Sequence, residues 1–348
     1  MADPYVFPNA SLLTSQEHDI IGSGSFGMVR RVYNQKLGTA AVKIFRITGT
    51  LDHQQGIVTE AKKEASLLTL INHENVVRCH GVVVWSNYFA IVMDYIEGGT
   101  LYDFLRLVPA PIIPFKLRIR MMHELARALV YLHHSGTDQR VVHGDLKTKN
   151  VFLTDDLHIR LGDFGAATLA TKTSDRSTQV RRNPNSTHTI VYAAPEFLRA
   201  IYGTRNRAMD VYSFGMVLYE IITRQAPFFD MQPSVASTER AQIITDAIIR
   251  GERPSLNLVT TVTDDLRERT DETYVHVLSI VDKMKECWQE NENNRPKMDD
   301  IEHFFADIIR NFRAPDVIRE VSVVVNQMQF VQRQPRPEDL ISIDQVNL

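Results

Sequence analysis

A glycine cluster followed at once by a β-branched run constrains this chain more than any other feature. In Gly22-Ser23-Gly24-Ser25-Phe26-Gly27-Met28-Val29 the glycines fall at the spacing G-x-G-x-x-G-x-V. Missing side chains there let backbone N–H groups close over phosphate oxygens. A glycine-rich hairpin without a ligand has the same composition and competes with that reading. A dinucleotide site also competes, but its glycines should open a helix, whereas Val29 to Tyr33 continues as a strand. A hairpin lid fits best with the flanking strands. On the next strand, Ala40-Ala41-Val42-Lys43 carries a lysine whose ammonium neutralises phosphoryl charge if a partner fixes its flexible stem. Glu64 on the helix that follows, and Glu60 one turn earlier, are the two candidates. Either glutamate alone also fits a solvated helix face.

The 348 residues suggest two domains or one large bilobal unit, and 44% apolar with 23% charged residues is ordinary for a globular chain. Cys79 and Cys287 are too few for a disulfide framework and fit a reducing compartment. With 39 basic against 42 acidic residues, the net charge of −3 provides no bulk field toward nucleic acid or anionic lipid. Residues 1 to 20 hold no apolar run of signal-peptide length, and Gly81 to Met93 is too short to span a bilayer and breaks at Trp85-Ser86-Asn87 as a hairpin turn does. The expectation is a cytoplasmic protein without a transmembrane segment. The glycosylation patterns at Asn9 and Asn185 need a secretory route and are set aside.

Strand signals fill the first third: Ile20-Ile21, Val29 to Tyr33, Ala40 to Phe45, and two apolar runs around Ser86-Asn87. One helix interrupts them between Val58 and Leu70, with Ala61, Ala65, Leu68 and Leu70 assigned to its apolar face. Beyond Gly98-Gly99 the periodicity is helical, over Leu117 to His134, Met209 to Thr223, Glu239 to Arg250 and Val275 to Gln289. The polar stretch Ala166 to His188 reads as a long surface loop of functional kind. From about Ala314 a tail carries Val321-Ser322-Val323-Val324-Val325, which either docks on the domain, engages a partner or frays.

Behind the glycine cluster and the lysine strand come His143-Gly144-Asp145-Leu146-Lys147-Thr148-Lys149-Asn150, then Asp163-Phe164-Gly165, Ala194-Pro195-Glu196, Asp210-Val211-Tyr212-Ser213-Phe214-Gly215 and Arg295-Pro296. This order resembles the eukaryotic protein kinase family, from about Ile20 to about Ile309. The resemblance implies an α+β bilobal fold, with a small antiparallel β-sheet N-lobe bearing one helix and a mainly α-helical C-lobe. The expected division is an N-terminal extension at 1–15, a kinase domain at 16–312 with lobes 16–97 and 98–312, and a tail at 313–348.

It also implies roles. Asp145 would orient or accept the proton of the attacking hydroxyl. Asn150 and Asp163 would hold Mg²⁺, and Lys43, braced by Glu64, would face the phosphates of ATP beneath Gly22, Gly24, Phe26 and Gly27. Met93 would be the gatekeeper, backbone groups of Asp94, Tyr95 and Ile96 would meet the adenine edge, and Ile21, Val29, Ala41 and Leu153 would sandwich the ring, though core packing accounts for such apolar residues equally well. Arg295 would pair with Glu196. Lys147 and Thr189 are similar to the pair that marks serine/threonine specificity.

Cys287-Trp288 and Gly98-Gly99-Thr100-Leu101 resemble the tyrosine-kinase-like group, most of all its receptor-interacting, mixed-lineage and TGF-β-activated kinases. That placement implies a serine/threonine protein kinase upstream of a MAP kinase cascade, acting on protein hydroxyls, with a regulatory partner or homodimer in view. A pseudokinase scaffold is the alternative; retention of Lys43, Glu64, Asp145, Asn150 and Asp163 argues against it. Two departures stand out. Gly144 replaces the arginine that in most kinases pairs with an activation-loop phosphate, which removes a charge-assisted clamp and points to basal or partner-driven activity. His188 stands where the family commonly has glycine. Ser174, Ser177, Thr178, Ser186 and Thr187, close in sequence to Arg176, Arg181 and Arg182, are candidate phosphorylation positions or simply polar loop residues.

Overall fold

The computed structural model describes residues 20–24, 27–34, 36–85, 88–107, 113–134, 139–171, 176–181, 187–200, 202–268, 273–312 and 319–325. The smaller lobe is a sheet of β1 (Ile20–Gly24), β2 (Gly27–Asn34), β3 (Gly38–Arg46), β4 (Cys79–Trp85) and β5 (Tyr88–Asp94), with α1 (Leu51–Leu70) crossing between β3 and β4. Every pairing is antiparallel and the strand order is β1-β2-β3-β5-β4. The five strands expected from the strand signals are all present. The turn at Ser86-Asn87 lies outside the described residues, but Trp85 pairs with Tyr88 around it.

Helix α1 begins seven residues before the predicted Val58. Its opening turns, Asp52 to Gly56, carry no apolar stripe for periodicity to detect, and Asp52 complements the positive end of the helix dipole. Leu70 is a correction: it is 40% exposed, while Leu67 takes the buried place beside Ala61, Ala65 and Leu68. At about 100° per residue, Leu70 points some 200° away from Leu68.

The larger lobe is helical. It opens with α2 (Leu101–Leu107) and α3 (Phe115–His134), followed by β6 (Gln139–Val142), β7 (Val151–Leu153), β8 (Ile159–Leu161), β9 (Thr168–Thr171) and β10 (Arg176–Arg181). Then come α4 (Thr187–Ile190), α5 (Pro195–Arg199), β11 (Tyr202–Asn206), α6 (Arg207–Thr223), α7 (Ser237–Ile249), α8 (Asn257–Glu268), α9 (Tyr274–Cys287) and α10 (Met298–Ile309). Helix α6 is buried along nearly its whole length, and α3, α9 and β11 pack around it. Such a helix is apolar on all sides and shows little amphipathic pattern. The stretch Ala166 to His188 is not one long loop: β9 pairs with β6 and β10 with β11, because its Thr, Val and Arg residues find strand partners far along the chain. In the tail, 319–325 is helical, with Val324 fully buried in the main core and Val321 and Val325 against it.

Candidate active site

The upper wall of the cleft comes from the sheet and α1. Lys43 on β3 donates to Glu64 Oε1 at 2.7 Å and Oε2 at 2.9 Å, and to Asp163 Oδ1 at 3.0 Å. Glu64 is 5% exposed, whereas Glu60, one turn earlier, faces solvent. The structure therefore selects Glu64 of the two glutamates that the sequence offered. Burial alone would lower the pKa of Lys43, but Asp163 and Glu64 outweigh it and hold the ammonium above its usual value. Burial likewise pushes Glu64 up against the pull of Lys43. With two carboxylates on one ammonium the proton stays on the lysine, and the charged pair is the form that fits the 2.7 Å contact.

Gly27 closes the glycine turn from the β2 side. A methyl carbon there would lie 1.8 Å from the Ile44 carbonyl oxygen, and its φ of +151° suits glycine, so no other residue keeps β2 this close to β3. Gly22 and Gly24 lie on β1 opposite Val29 and Gly27. Phe26 lies outside the described residues. Ala41, paired with Met93, and Val29, paired with Lys43, sit on adjoining strands, while Ile21 is exposed. Met93 is half-buried against the main core. The Asp94 amide donates to the Arg78 carbonyl at 3.0 Å and its carboxylate meets His80 Nε2 at 2.7 Å, so Asp94 could offer an adenine edge only its carbonyl. Tyr95 and Ile96 follow as the half-buried link to the larger lobe.

Leu153 requires correction. It is 0% exposed and part of the main core, so it does not line the cleft. Side chains alternate along β7, and the half-buried Phe152 faces the other way, its ring against Gly162 beside Asp163. On β7 it is therefore Phe152, not Leu153, whose side chain is left partly exposed on the Asp163 side. Applying period two to Val151-Phe152-Leu153 is the signal that could have found it.

The lower wall is a rigid network. Asp210, in the first turns of α6, is buried and accepts from the backbone N–H groups of His143 at 2.9 Å and Gly144 at 2.8 Å, and from His133 Nε2 at 2.9 Å. Burial alone would raise its carboxyl, but those donors hold it below the ordinary range. Asn206 caps the same helix by accepting from Met209 N at 3.0 Å, which fixes where Asp210 points. His143 meets the Gly162 carbonyl at 3.0 Å and stacks edge-on to Phe164, 5.0 Å between ring centroids, and so ties the His143–Asn150 loop to the Asp163-Phe164-Gly165 turn. Asp163 itself adopts φ +57°, a conformation rarely held without surrounding contacts.

On this base stand the polar groups. Lys147 Nζ donates to Asp145 Oδ2 at 2.7 Å and to Thr189 Oγ1 at 3.2 Å, joining the loop to the activation segment, the stretch between Asp163 and Glu196. Asn150 Nδ2 donates to the Asp145 carbonyl at 2.8 Å and to its Oδ2 at 3.2 Å, which turns the amide oxygen of Asn150 away from Asp145. Asp163 remains 44% exposed. Its partial enclosure would raise the carboxyl, but Lys43 prevails and keeps it ionised. One amide oxygen and one ionised carboxylate are hard donors of the kind Mg²⁺ takes. Arg295 forms a two-pronged pair with Glu196 at 2.7 and 2.8 Å, locking the end of the activation segment to the lobe. Glu220 on α6, absent from the sequence reading, accepts from Arg106 on α2 at 2.6 Å, from Thr148 at 2.8 Å and from Tyr192. Its signal was a glutamate in the apolar stretch Met216 to Ile222 of that helix.

With this geometry in view, a family described as protein kinase domain matches residues 15–305. Human receptor-interacting serine/threonine-protein kinase 1 is 28% identical over 305 residues, covering 85% of this chain and 40% of that protein. The Arabidopsis serine/threonine-protein kinase VIK is 29% identical over 288 residues, 81% of this chain and 57% of its own length. The Dictyostelium RGS domain-containing serine/threonine-protein kinase A is 30% identical over 293 residues, 84% of this chain and 22% of its own. The chain thus spans less than two thirds of these relatives. No helix among the described residues is long and apolar enough to cross a membrane. The family uses ATP with Mg²⁺, and with its two-lobed fold, its order of motifs and its matched span, this chain belongs to the protein kinase domain family.

Proposed function

We propose that this chain is a serine/threonine protein kinase that transfers the γ-phosphoryl group of ATP to hydroxyls of protein substrates. The observation that carries the reading is the Asp145–Lys147–Thr189 contact. The carboxylate is oriented by two donors, Lys147 and Asn150, and the lysine bridges to the segment on which a substrate chain would lie. Asp145 accepts or orients the proton of the attacking hydroxyl, and Lys147 offsets charge gathering around it. Lys43, fixed by Glu64, holds the phosphates. Gly22, Gly24 and Gly27 admit backbone donors to them. Asn150 and Asp163 would hold Mg²⁺, which when bound neutralises phosphate oxygen charge. Ala41, Val29, Met93 and Phe152 would enclose the base, and Asp94 to Ile96 would meet its edge.

The intact Lys43–Glu64–Asp163 cluster argues against a pseudokinase scaffold. The likeness to human receptor-interacting serine/threonine-protein kinase 1 supports the serine/threonine reading. The resemblance of Cys287-Trp288 and Gly98-Gly99-Thr100-Leu101 to the tyrosine-kinase-like group underlies our proposal of a cytoplasmic signalling role upstream of a MAP kinase cascade, with a regulatory partner or homodimer. Purified chain with Mg²⁺-ATP and a degenerate peptide library tests the reading. Phosphoserine or phosphothreonine should form and should vanish in Asp145→Asn. Equal signal from both proteins sinks it.

A further inference from the structure

Gly144 stands where the protein kinase motif usually has an arginine, and the space its side chain would need is filled. A methyl carbon built on Gly144 would lie 2.4 Å from Arg205 Cδ, 2.7 Å from Arg205 Nε and 3.1 Å from the Ala166 carbonyl oxygen. Its φ of +74° also belongs to the region that favours glycine. Arg205 comes from β11, immediately before the Asn206 cap of α6, so the element that places Asp210 under the loop also places this arginine beside it. Strand β11 pairs with β10 of the activation segment, and the register skips there: Arg176 faces Asn206 and Gln179 faces Thr204. Arg205 thus lies where activation segment, catalytic loop and α6 meet. The Arg205 guanidinium also sits over the Phe197 ring at 5.5 Å, which limits its swing.

We propose that Arg205 is a positioning residue for phosphoryl transfer, a cation supplied from β11 that takes the place of the missing loop arginine and holds the Asp145 loop against the activation segment without a phosphate. The surrounding charges agree. Burial lowers the pKa of Arg205, and the carboxylates of Asp145, Asp210 and Glu60 oppose that from the loop, from α6 and from α1. Glycine at 144 and arginine at 205 therefore belong together: any side chain at 144 would displace the arginine. The inference rests on the kinase reading above.

The test compares wild type, Arg205→Gln and Arg205→Lys as full chains after phosphatase treatment, reading kcat, KM for ATP and Tm. Wild type should keep its activity. R205Q should lose about tenfold or more in kcat with KM for ATP within about twofold, the signature of an interaction needed for the chemical step rather than for nucleotide binding. R205K should recover part of the loss. An R205Q enzyme with wild-type kcat overturns the proposal, as does an R205K no better than R205Q. So does a phosphatase-treated wild type that loses nearly all activity it had before treatment. Should R205Q not fold, Gly144→Ala displaces the same side chain from the other side. It should lose kcat in the same sense, and an unchanged kcat would overturn the proposal. A wild type inactive before and after treatment fails the kinase reading itself, and this inference with it.

Discussion

The two walls of the cleft hold their charged groups in different ways. Above, Lys43 and Glu64 meet through side chains alone, across a strand and a helix joined by a single crossover, and the partner that completes the cluster, Asp163, is nearly half exposed. Below, the Asp145 loop hangs by its own backbone from Asp210, and His143, Phe164, Asn150 and Thr148 are buried around it. Backbone donors to a buried carboxylate leave the loop no alternative partners, while the open Asp163 end of the Lys43 cluster can exchange its contact for water or ligand. The lower wall is built in with the fold, and the upper wall depends on where α1 sits.

If that contrast is right, substitutions on the lower wall should divide cleanly between chemistry and stability. The largest effect belongs to Asp145→Asn, with kcat falling by about 100- to 10,000-fold, the usual range for removing a general base. Steady-state kinetics beside nucleotide binding checks it; an equal loss of ATP affinity would mean that Asp145 does something else.

Next comes Asp210→Asn. It breaks a buried, multiply bonded carboxylate and should cost about 3–5 kcal/mol of stability, read by chemical denaturation. The pH dependence has a definite sign. The folded-state pKa of Asp210 is depressed, so its stabilisation is complete above about pH 4, the unfolded value, and is lost as pH falls through the lower folded value. The gap between wild type and D210N should therefore narrow on acidification below pH 4; a gap constant with pH would break the comparison.

Leu153 and Phe152 sharpen it further. Leu153→Ala should cost about 2–5 kcal/mol as a core cavity while ATP affinity per folded molecule holds. Phe152→Ala should instead raise KM for ATP. The reverse pattern would return Leu153 to the cleft. The smallest change in stability is expected for Glu64→Gln. A neutral amide keeps the packing and weakens the hold on Lys43, so Tm should move by only a few degrees while kcat/KM falls about tenfold. A larger loss of stability than in D210N would invert the contrast between the walls.

Motifs confined to contiguous residues were legible from the chain: the strands on either side of the glycines, the lysine strand, the loop from His143 to Asn150 and the turn at Asp163 all form where spacing put them. Short strands β9 to β11 were not legible. A four- to six-residue strand of mixed polarity has no internal pattern, and it forms only because β6 or a distant neighbour presents an edge. The first turns of α1 escaped for a related reason, since they bury nothing that would leave a stripe.

By itself the sequence determined the family, the two-lobed fold and the motif residues from which the site is built. Glycine spacing and local charge placement are properties of a few adjacent residues, and their order along the chain excludes other folds. Tertiary structure alone decided Glu64 over Glu60, Phe152 over Leu153, and the insertion of Arg205 beside Gly144. Each of those depends on which way an element is rotated and on what arrives from a distant part of the chain to fill the adjoining space, and neither is written in local sequence.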